Sequence, residues 1–283
     1  MGDEQVAAQR VLHVVLRLGG DQVELGVDFL MQHGARAVEE RSVGEEIELW
    51  SVIGDTDAST RCISQCANRW SGRLEWVDTT PSDEWKRFAQ PVVVNSELVL
   101  IPSWKDASAF DQYNLNVFID PEESFGLGDH PTTRLVADAL FRQNLHGVSV
   151  LDMGSGSGVL SIVAALCGAQ RVLGIDRAQG AAGIATRNAV RNRVADKTEF
   201  RSGSTVPSDE KFDVAAANIL APVLLEISES LVNAVEVGGI IILSGLHVDR
   251  SAFVVERYLS LGCSVVEESS LDDWFAVVMK RMR

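Results

Sequence analysis

The sequence predicts two folded parts of different class: a small α+β domain, and after it a larger α/β domain built on a mostly parallel, seven-stranded sheet. Three observations support this prediction. Residues 1–78 follow the order βαββαβ. From residue 148 onward, short apolar strands alternate with helical patterns, which is typical of a sheet covered by helices. Between the first of these strands and its helix lies a turn with a glycine at every second position.

The small domain is predicted to be ferredoxin-like. Residues 11–18 alternate enough to form a strand, two glycines end it, and Asp21 can begin a helix. The remaining elements are predicted as strands over 37–42 and 46–53, a helix over 57–70 and a strand over 73–77. Residues 79–118 are then predicted to be a linker with connecting strands: a helix begins after Pro81, and 91–104 contain two extended pieces.

A loop of unusual composition precedes the central strand of the large domain. Two glycines in residues 120–130 forbid regular structure before Pro131, where a helix is expected to begin and to run to about residue 143. The polar residues of this loop make it a candidate lid over a ligand. The alternative is that Asp129 or Thr132 merely caps the helix.

The glycine turn predicts a backbone that lies directly against a ligand. A strand over 148–151 is followed by Asp152, by Gly154, Gly156 and Gly158, and by a helix over 159–166. Glycine is needed where the backbone adopts positive φ or where a Cβ would block a ligand. A dinucleotide fingerprint would require glycine at Val159, and a P-loop would end in Gly-Lys-Ser/Thr. The spacing therefore disfavours both.

The next strand, residues 171–176, ends in a carboxylate. Asp176 at a strand tip can accept hydrogen bonds from both hydroxyl groups of a ribose. The alternative is that it caps a helix beginning near Ala178. Strand, glycine turn, helix, strand and carboxylate in this order indicate a nucleoside-binding, Rossmann-like domain.

Asn218 is predicted to complete the same site. It ends a strand that begins at Phe212, and the carboxyl ends of parallel strands line one crevice, so Gly154, Asp176 and Asn218 should converge. The alternative for Asn218 is a helix N-cap. The other predicted elements are a helix over 178–192, a strand over 198–201, a loop at Gly203–Ser204 that would lie beside an adenine, a helix over 219–235, a strand over 240–244, a helix over 249–261, and strands over 264–268 and 274–280, the last antiparallel.

Composition excludes several function classes. The chain has 40 acidic and 25 basic residues and a formal charge of −15, which disfavours a surface for nucleic acid. Neither a signal peptide nor a membrane span is visible. The four cysteines are scattered without the spacing of a metal site, so reduced thiols, no metal and a cytoplasmic location are expected.

Several motifs together resemble one family, the PrmA-type methyltransferases of ribosomal protein L-eleven, which are class I S-adenosylmethionine (AdoMet) enzymes. The likeness covers nearly the whole chain. Gly-x-Gly-x-Gly preceded by an acid resembles motif I of many methyltransferases, whereas the other motifs in combination are more specific. The matching segments are Phe125-Gly-Leu-Gly-Asp-His-Pro-Thr-Thr-Arg134, Val150-Leu-Asp-Met-Gly-Ser-Gly-Ser-Gly158, Gly174-Ile-Asp176, Ala217-Asn-Ile-Leu-Ala221 and Leu243-Ser-Gly245.

The resemblance implies an AdoMet-dependent enzyme that methylates lysine side-chain and N-terminal amines of a ribosomal protein and releases S-adenosylhomocysteine. It implies that Thr133, Gly154, Asp176 and Asn218 bind AdoMet, that Phe125 and His130 belong to a loop that closes over it, and that the N-terminal domain presents the substrate. The catalytic candidates are Asn218 and His130, although no obligatory general base is expected. The candidate cofactor-binding residues are Phe125, Thr132, Thr133, Asp152, Gly154, Gly156, Gly158, Asp176, Ser204 and Asn218.

Three departures from the family pattern leave alternatives open. The family usually has Thr where Leu127 stands, Asp where Ala178 stands, and Pro in place of Gln179. A diverged methyltransferase acting on another protein or a small amine is one alternative, and an AdoMet-binding interaction module without turnover is another. An NAD-dependent oxidoreductase is disfavoured by Val159 and by the lack of a recognisable catalytic pair. The oligomeric state is not predicted.

Overall fold

The computed structural model describes residues 10–35, 38–44, 46–54, 56–67, 69–78, 89–122 and 127–283. The chain divides into two compact units, Met1–Phe88 and Ala89–Arg283. The domain limits drawn from the sequence, after residues 78 and 118, remain predictions. The helix expected after Pro81 lies outside the described residues, as does Phe125.

The first unit contains a four-stranded antiparallel sheet. Its strands are in the order β2-β3-β1-β4, as the ferredoxin-like prediction requires. Leu16, Leu30, Leu49 and Cys62 are fully buried between this sheet and its helices. The elements are β1 (Arg10–Gly19), α1 (Val23–Gln32), β2 (Glu39–Val43), β3 (Glu46–Ser51), α2 (Thr56–Cys66) and β4 (Ser71–Asp78).

A small three-stranded sheet opens the second unit. It consists of β5 (Val92–Val93), β6 (Leu98–Pro102) and β7 (Leu115–Ile119), and β6 and β7 are parallel. Leu100 and Val117 are fully buried in the same apolar cluster as the helix that begins at Pro131. The described part of the predicted linker is therefore packed into the core of the second unit.

The main sheet has seven strands in the order β10-β9-β8-β11-β12-β14-β13. Strand β14 runs antiparallel to both of its neighbours, β12 and β13, as predicted, and the other adjacent pairs are parallel. The order reverses between the adjacent strands β8 and β11, and such a switch point is where open α/β sheets bind ligands. The elements are α3 (Pro131–Arg142), β8 (Ser149–Met153), α4 (Val159–Leu166), β9 (Arg171–Asp176), α5 (Ala181–Arg191), β10 (Thr198–Ser202), β11 (Phe212–Asn218), α6 (Ala221–Glu226), α7 (Ser228–Ala234), β12 (Val235–His247), α8 (Ser251–Ser260), β13 (Cys263–Leu271) and β14 (Trp274–Arg281).

Successive residues of each central strand enter two different apolar layers. Val150 packs with α3 and α4 on one face, and Leu151 packs with α7 and α8 on the other. Both faces of the sheet are therefore covered, which explains why its strands are continuous apolar runs. Within the described ranges, every helix is too short or too polar to traverse a lipid bilayer.

Some predicted element boundaries are wrong. The helix expected over 57–70 ends at Cys66. The helix expected over 219–235 is two helices, α6 and α7, and the hydroxyl of Ser228 between them donates to the carbonyl of Leu225 at 2.8 Å. Strand β12 begins at Val235, five residues before the predicted start at 240. Gly238 and Gly239 lie within the strand, where its register with β11 shifts between Val235 and Ile240.

Candidate active site

The glycine turn has the backbone conformation that the sequence predicts. Gly154, Gly156 and Gly158 have φ values of 80°, 50° and 82°, a region that other residues rarely adopt. A Cβ on Gly154 would overlap Cγ2 of Ile219, and one on Gly158 would lie 2.8 Å from Cβ of Ala185. The turn is therefore held closely against the chain after β11 and against α5.

Asp176 binds the glycine turn rather than capping a helix. Its Oδ2 accepts the backbone N–H of Gly156 at 2.8 Å, and its Oδ1 accepts that of Ala178 at 2.7 Å. Helix α5 begins only at Ala181, with Gly180 at its N-cap, so the helix-cap alternative is wrong. A carboxylate has about four acceptor positions, so two further hydrogen bonds remain possible on this half-buried group.

Asn218 makes a side-chain contact across the site. Its Nδ2 donates to Oγ1 of the buried Thr133 at 3.4 Å. The following helix begins at Ala221 with Leu220 at the N-cap, so Asn218 is not a helix cap. Asn218 and Thr133 are 85 positions apart in sequence, and the structure brings them together at the end of β11.

The predicted convergence of strand ends is present. Gly154 lies against Ile219, next to Asn218, while Asp176 is bonded to Gly156 of the same turn. The N–H of Gly203 donates to the backbone carbonyl of Asp176 at 2.8 Å, which brings the loop containing the exposed Ser204 to the same edge. One edge of the sheet therefore presents the turn, a carboxylate and an amide.

His130 is the N-cap of α3, a role for which Asp129 or Thr132 was the alternative to a lid. Its Nδ1 accepts the backbone N–H of Thr132 at 3.4 Å and lies 2.7 Å from that residue's Oγ1. Burial lowers the pKa of His130 below its usual value, although the Asp129 carboxylate acts in the opposite direction. A neutral imidazole is thus favoured, as an accepting Nδ1 requires.

Trp274 adjoins His130 and was predicted only as a strand residue. The two rings are edge to face with centroids 4.7 Å apart, and Trp274 pairs with His247 in the β12–β14 ladder. A large aromatic residue at the first position of a strand on this edge is the signal that could have identified Trp274 as a neighbour of the site.

Asp152 lies beneath the turn and is 1% exposed. The hydroxyl of Ser161 donates to its Oδ2 at 2.6 Å, whereas its buried Oδ1 has no hydrogen-bond partner in the described part of the chain. Burial raises the pKa of Asp152 to about 6, opposed by the Ser161 hydroxyl and assisted by the charge of Asp176. A buried carboxylate oxygen without a donor is costly, and a ligand group that donates would relieve that cost.

The raised pKa of Asp152 predicts a pH-dependent stability. Because the folded-state pKa of about 6 exceeds the usual aspartate value of 3.8, the stabilisation is complete below pH 3.8 and is lost as pH rises through 6. Without ligand, the free energy of unfolding should fall by about 1 kcal/mol more between pH 5 and pH 7 in the wild type than in Asp152→Asn. Denaturant titrations at both pH values test this, and parallel profiles would contradict it.

Gly245 determines the spacing between β12 and the chain after Asn218. Its φ is 83°, and a Cβ would overlap the carbonyl oxygen of Ile219 and lie 2.7 Å from the carbonyl carbon. These are backbone atoms and cannot move aside without displacing Asn218. Gly238, in the same strand, has a similar φ of 86°, but a Cβ added there would have no atom within 4 Å.

The two glycines therefore form a matched pair for substitution. Gly238→Ala should cost about 1 kcal/mol of stability from the φ strain alone, whereas Gly245→Ala should cost at least about 2 kcal/mol more. Thermal unfolding of both variants measures the difference. Equal losses would show that the approach of Gly245 to Ile219 is unimportant.

The described residues contain no group of three or more His, Cys, Asp or Glu side chains that could hold a metal ion. Burial raises the pKa of Cys62 and Cys167 to about 11, which disfavours the thiolate form that binds metals.

Comparison with known proteins identifies the family. The family model described as "Ribosomal protein L11 methyltransferase (PrmA)" matches residues 13–282. The chain belongs to the PrmA family. A PrmA-family relative from Dictyoglomus thermophilum, named ribosomal protein L11 methyltransferase, is 34% identical over 200 residues, which are 70% of this chain and 65% of the relative. One with the same name from Caldicellulosiruptor saccharolyticus is 30% identical over 84% of this chain and 78% of its own length.

The fold of the PrmA family is also found by structural comparison. A crystal structure of ribosomal protein L11 methylase from Lactobacillus delbrueckii subsp. bulgaricus has a TM-score of 0.64 at 26% identity, and the match covers 69% of this chain and 100% of that one. The second unit thus has the Rossmann-like class I methyltransferase fold that the sequence predicts. With the D. thermophilum relative, the match spans just under two thirds of the relative's length, at 65%.

Proposed function

We propose that this protein transfers methyl groups from AdoMet to amine nitrogens of a ribosomal protein and releases S-adenosylhomocysteine. The observation that supports this most strongly is the meeting of the glycine turn, Asp176 and Asn218 at the carboxyl ends of neighbouring strands. Membership of the PrmA family supports the same reaction.

The residues at this edge fit AdoMet. The ribose diol needs acceptors, and Asp176 has acceptor positions left beside its two backbone hydrogen bonds. Gly156, which has a positive φ and no side chain, leaves backbone against which the methionyl part can lie. The partnerless Oδ1 of Asp152, which accepts no hydrogen bond from the described residues, suits a cofactor that carries an ammonium group and a sulfonium cation. Thr133 and Ser204 are proposed as further contacts.

When bound, AdoMet supplies a methyl group on a sulfonium for in-line displacement. The protein's own task is then to align the acceptor amine and to exclude water. An amine attacks only when neutral, so its pKa must be lowered by desolvation and by a nearby positive charge. The Nδ2 of Asn218 is directed to Thr133, and its Oδ1 accepts no hydrogen bond from the described residues, so it can accept one from the amine N–H and orient the lone pair.

His130 is proposed to organise the site rather than to act as a base. Its Nδ1 is engaged with Thr132, and this contact begins the helix that carries Thr133. A neutral amine needs no proton removed before attack, so solvent can take the proton afterwards.

The proposed substrate is ribosomal protein L11 in the cytoplasm, presented by the first unit. Relatives from two organisms carry that substrate in their names. A formal charge of −15 suits a basic protein and disfavours direct binding of nucleic acid.

Mass spectrometry of purified ribosomal proteins, incubated with the enzyme and AdoMet carrying an isotopically labelled methyl group, tests this proposal. We expect label on lysine or N-terminal amines of one large-subunit protein. Binding of AdoMet without label in any ribosomal protein would favour an interaction module or a different acceptor. If the protein does not bind AdoMet, the proposed methyltransferase activity is excluded.

A further inference from the structure

Helix α5 and the residue after it present two buried asparagines to the same neighbour. Asn188 is 1% exposed and Asn192 is 8% exposed. They are four positions apart and so lie on one face of the helix. Buried amides are costly unless their donors and acceptors are satisfied, so the partners of these two side chains define their role.

Both amides bind the outer edge of β7 as a neighbouring strand would. Asn192 accepts the N–H of Phe118 at 2.8 Å and donates to its carbonyl at 2.7 Å. Asn188 accepts the N–H of Asp120 at 3.0 Å and donates to its carbonyl at 2.8 Å. Phe118 and Asp120 are two residues apart, which is the spacing of backbone groups on one edge of a strand.

The two asparagines differ in two contacts. The Oδ1 of Asn188 also accepts a hydrogen bond from Nη1 of Arg191 at 2.8 Å, which Asn192 does not do within the described residues. The Nδ2 of Asn188 also donates to the backbone carbonyl of Ser157 at 3.0 Å, inside the glycine turn. The corresponding nitrogen of Asn192 donates instead to the carbonyl of Asn188 at 2.8 Å. An amide NH₂ has two hydrogens, so Asn188 can hold Asp120 and Ser157 at the same time.

This contact reaches the part of the turn that would lie against the proposed cofactor. Ser157 is fully buried between Gly156, whose N–H binds Asp176, and Gly158, which packs on Ala185 of α5. The turn has positive φ at three positions and little steric preference of its own there. Its conformation therefore depends on the hydrogen bonds that its backbone groups make.

We propose that Asn188 is a positioning residue for AdoMet: it fixes the carbonyl of Ser157, and thereby the glycine turn, relative to the end of β7. This inference rests on the proposed function, because it concerns the same cofactor. Asn192 makes the same kind of bonds to β7 but none to the turn, so it serves stability alone.

The test compares Asn188→Ala with Asn192→Ala in the full-length protein. Each variant leaves buried backbone groups of residue 118 or 120 unpaired, so both should lower the melting temperature to a similar extent. Only Asn188→Ala should also raise the Kd for S-adenosylhomocysteine, by about tenfold, and the KM for AdoMet with it. The kcat at saturating AdoMet should change less than about twofold.

A second pair, Asn188→Asp and Asn192→Asp, covers the case in which an alanine variant does not fold. Aspartate has nearly the same shape and keeps the acceptor for the N–H of residue 118 or 120 but loses the donors. The inference is overturned if the two variants of a pair, at positions 188 and 192, change the affinity for S-adenosylhomocysteine equally, or if neither changes it. If the wild type itself binds no S-adenosylhomocysteine, the proposed function fails first and this inference fails with it.

Discussion

Asp176→Ala is expected to raise the Kd for AdoMet by about 100-fold. In the proposed complex, the Asp176 carboxylate accepts both ribose hydroxyls, and a hydrogen bond to a charged group is worth about 1.5–3 kcal/mol. Losing two such bonds corresponds to at least about two orders of magnitude in affinity. The substitution also frees the N–H of Gly156, which loosens the turn. Calorimetric titration with AdoMet measures the effect.

Asp176→Asn is the matched control for this prediction. It keeps one acceptor oxygen and the size of the side chain but removes the charge, so its Kd should lie between those of the wild type and the alanine variant. Circular dichroism must show that both variants are folded at the temperature of the titration. An alanine variant that is folded and binds with unchanged affinity would exclude Asp176 from the ribose site.

Asn218→Ala is expected to lower kcat by about 100-fold while changing the Kd for AdoMet by only a few-fold. The lost interaction is the one that orients the amine lone pair toward the methyl group, and misalignment of reacting groups has effects of this size. Steady-state kinetics with labelled AdoMet and the unmethylated form of the acceptor ribosomal protein separate kcat from cofactor binding.

Thr133→Val tests the support of Asn218 without altering its amide. The hydroxyl that receives the Nδ2 of Asn218 is lost, while a buried side chain of the same shape remains. We expect a smaller loss in kcat than for Asn218→Ala, because the amide keeps its position at the end of β11. If Asn218→Ala turned over at the wild-type rate, Asn218 would have no part in the chemistry.

The parts of the site governed by local rules could be predicted from the sequence. A strand, a turn with alternating glycines and a helix determine the backbone path near Gly154, and the strand-end rule for parallel sheets places Asp176 and Asn218 beside it. The pattern of the first unit likewise indicated its order of strands and helices, because each apolar run had the period of a strand or of a helix.

The caps and the small sheet could not be predicted in the same way. Asp, Asn and Thr are common N-caps, but Asp176 and Asn218 have tertiary partners and Thr132 is bonded to the side chain of His130. The cap positions are occupied by Gly180, Leu220 and His130. Strand β7 was missed because its outer edge is satisfied by Asn188 and Asn192, which lie about 70 residues further along the chain. No local pattern near Leu115 indicates those partners.

The most direct test of the central claim is a crystal structure of the protein with S-adenosylhomocysteine. We predict ribose hydroxyls at about 2.6–3.2 Å from the carboxylate of Asp176, the methionyl part along Gly154–Gly158, and the sulfur near the side chain of Asn218. A ligand bound elsewhere, or one whose ribose makes no contact with Asp176, would contradict the claim that these strand ends form the cofactor site.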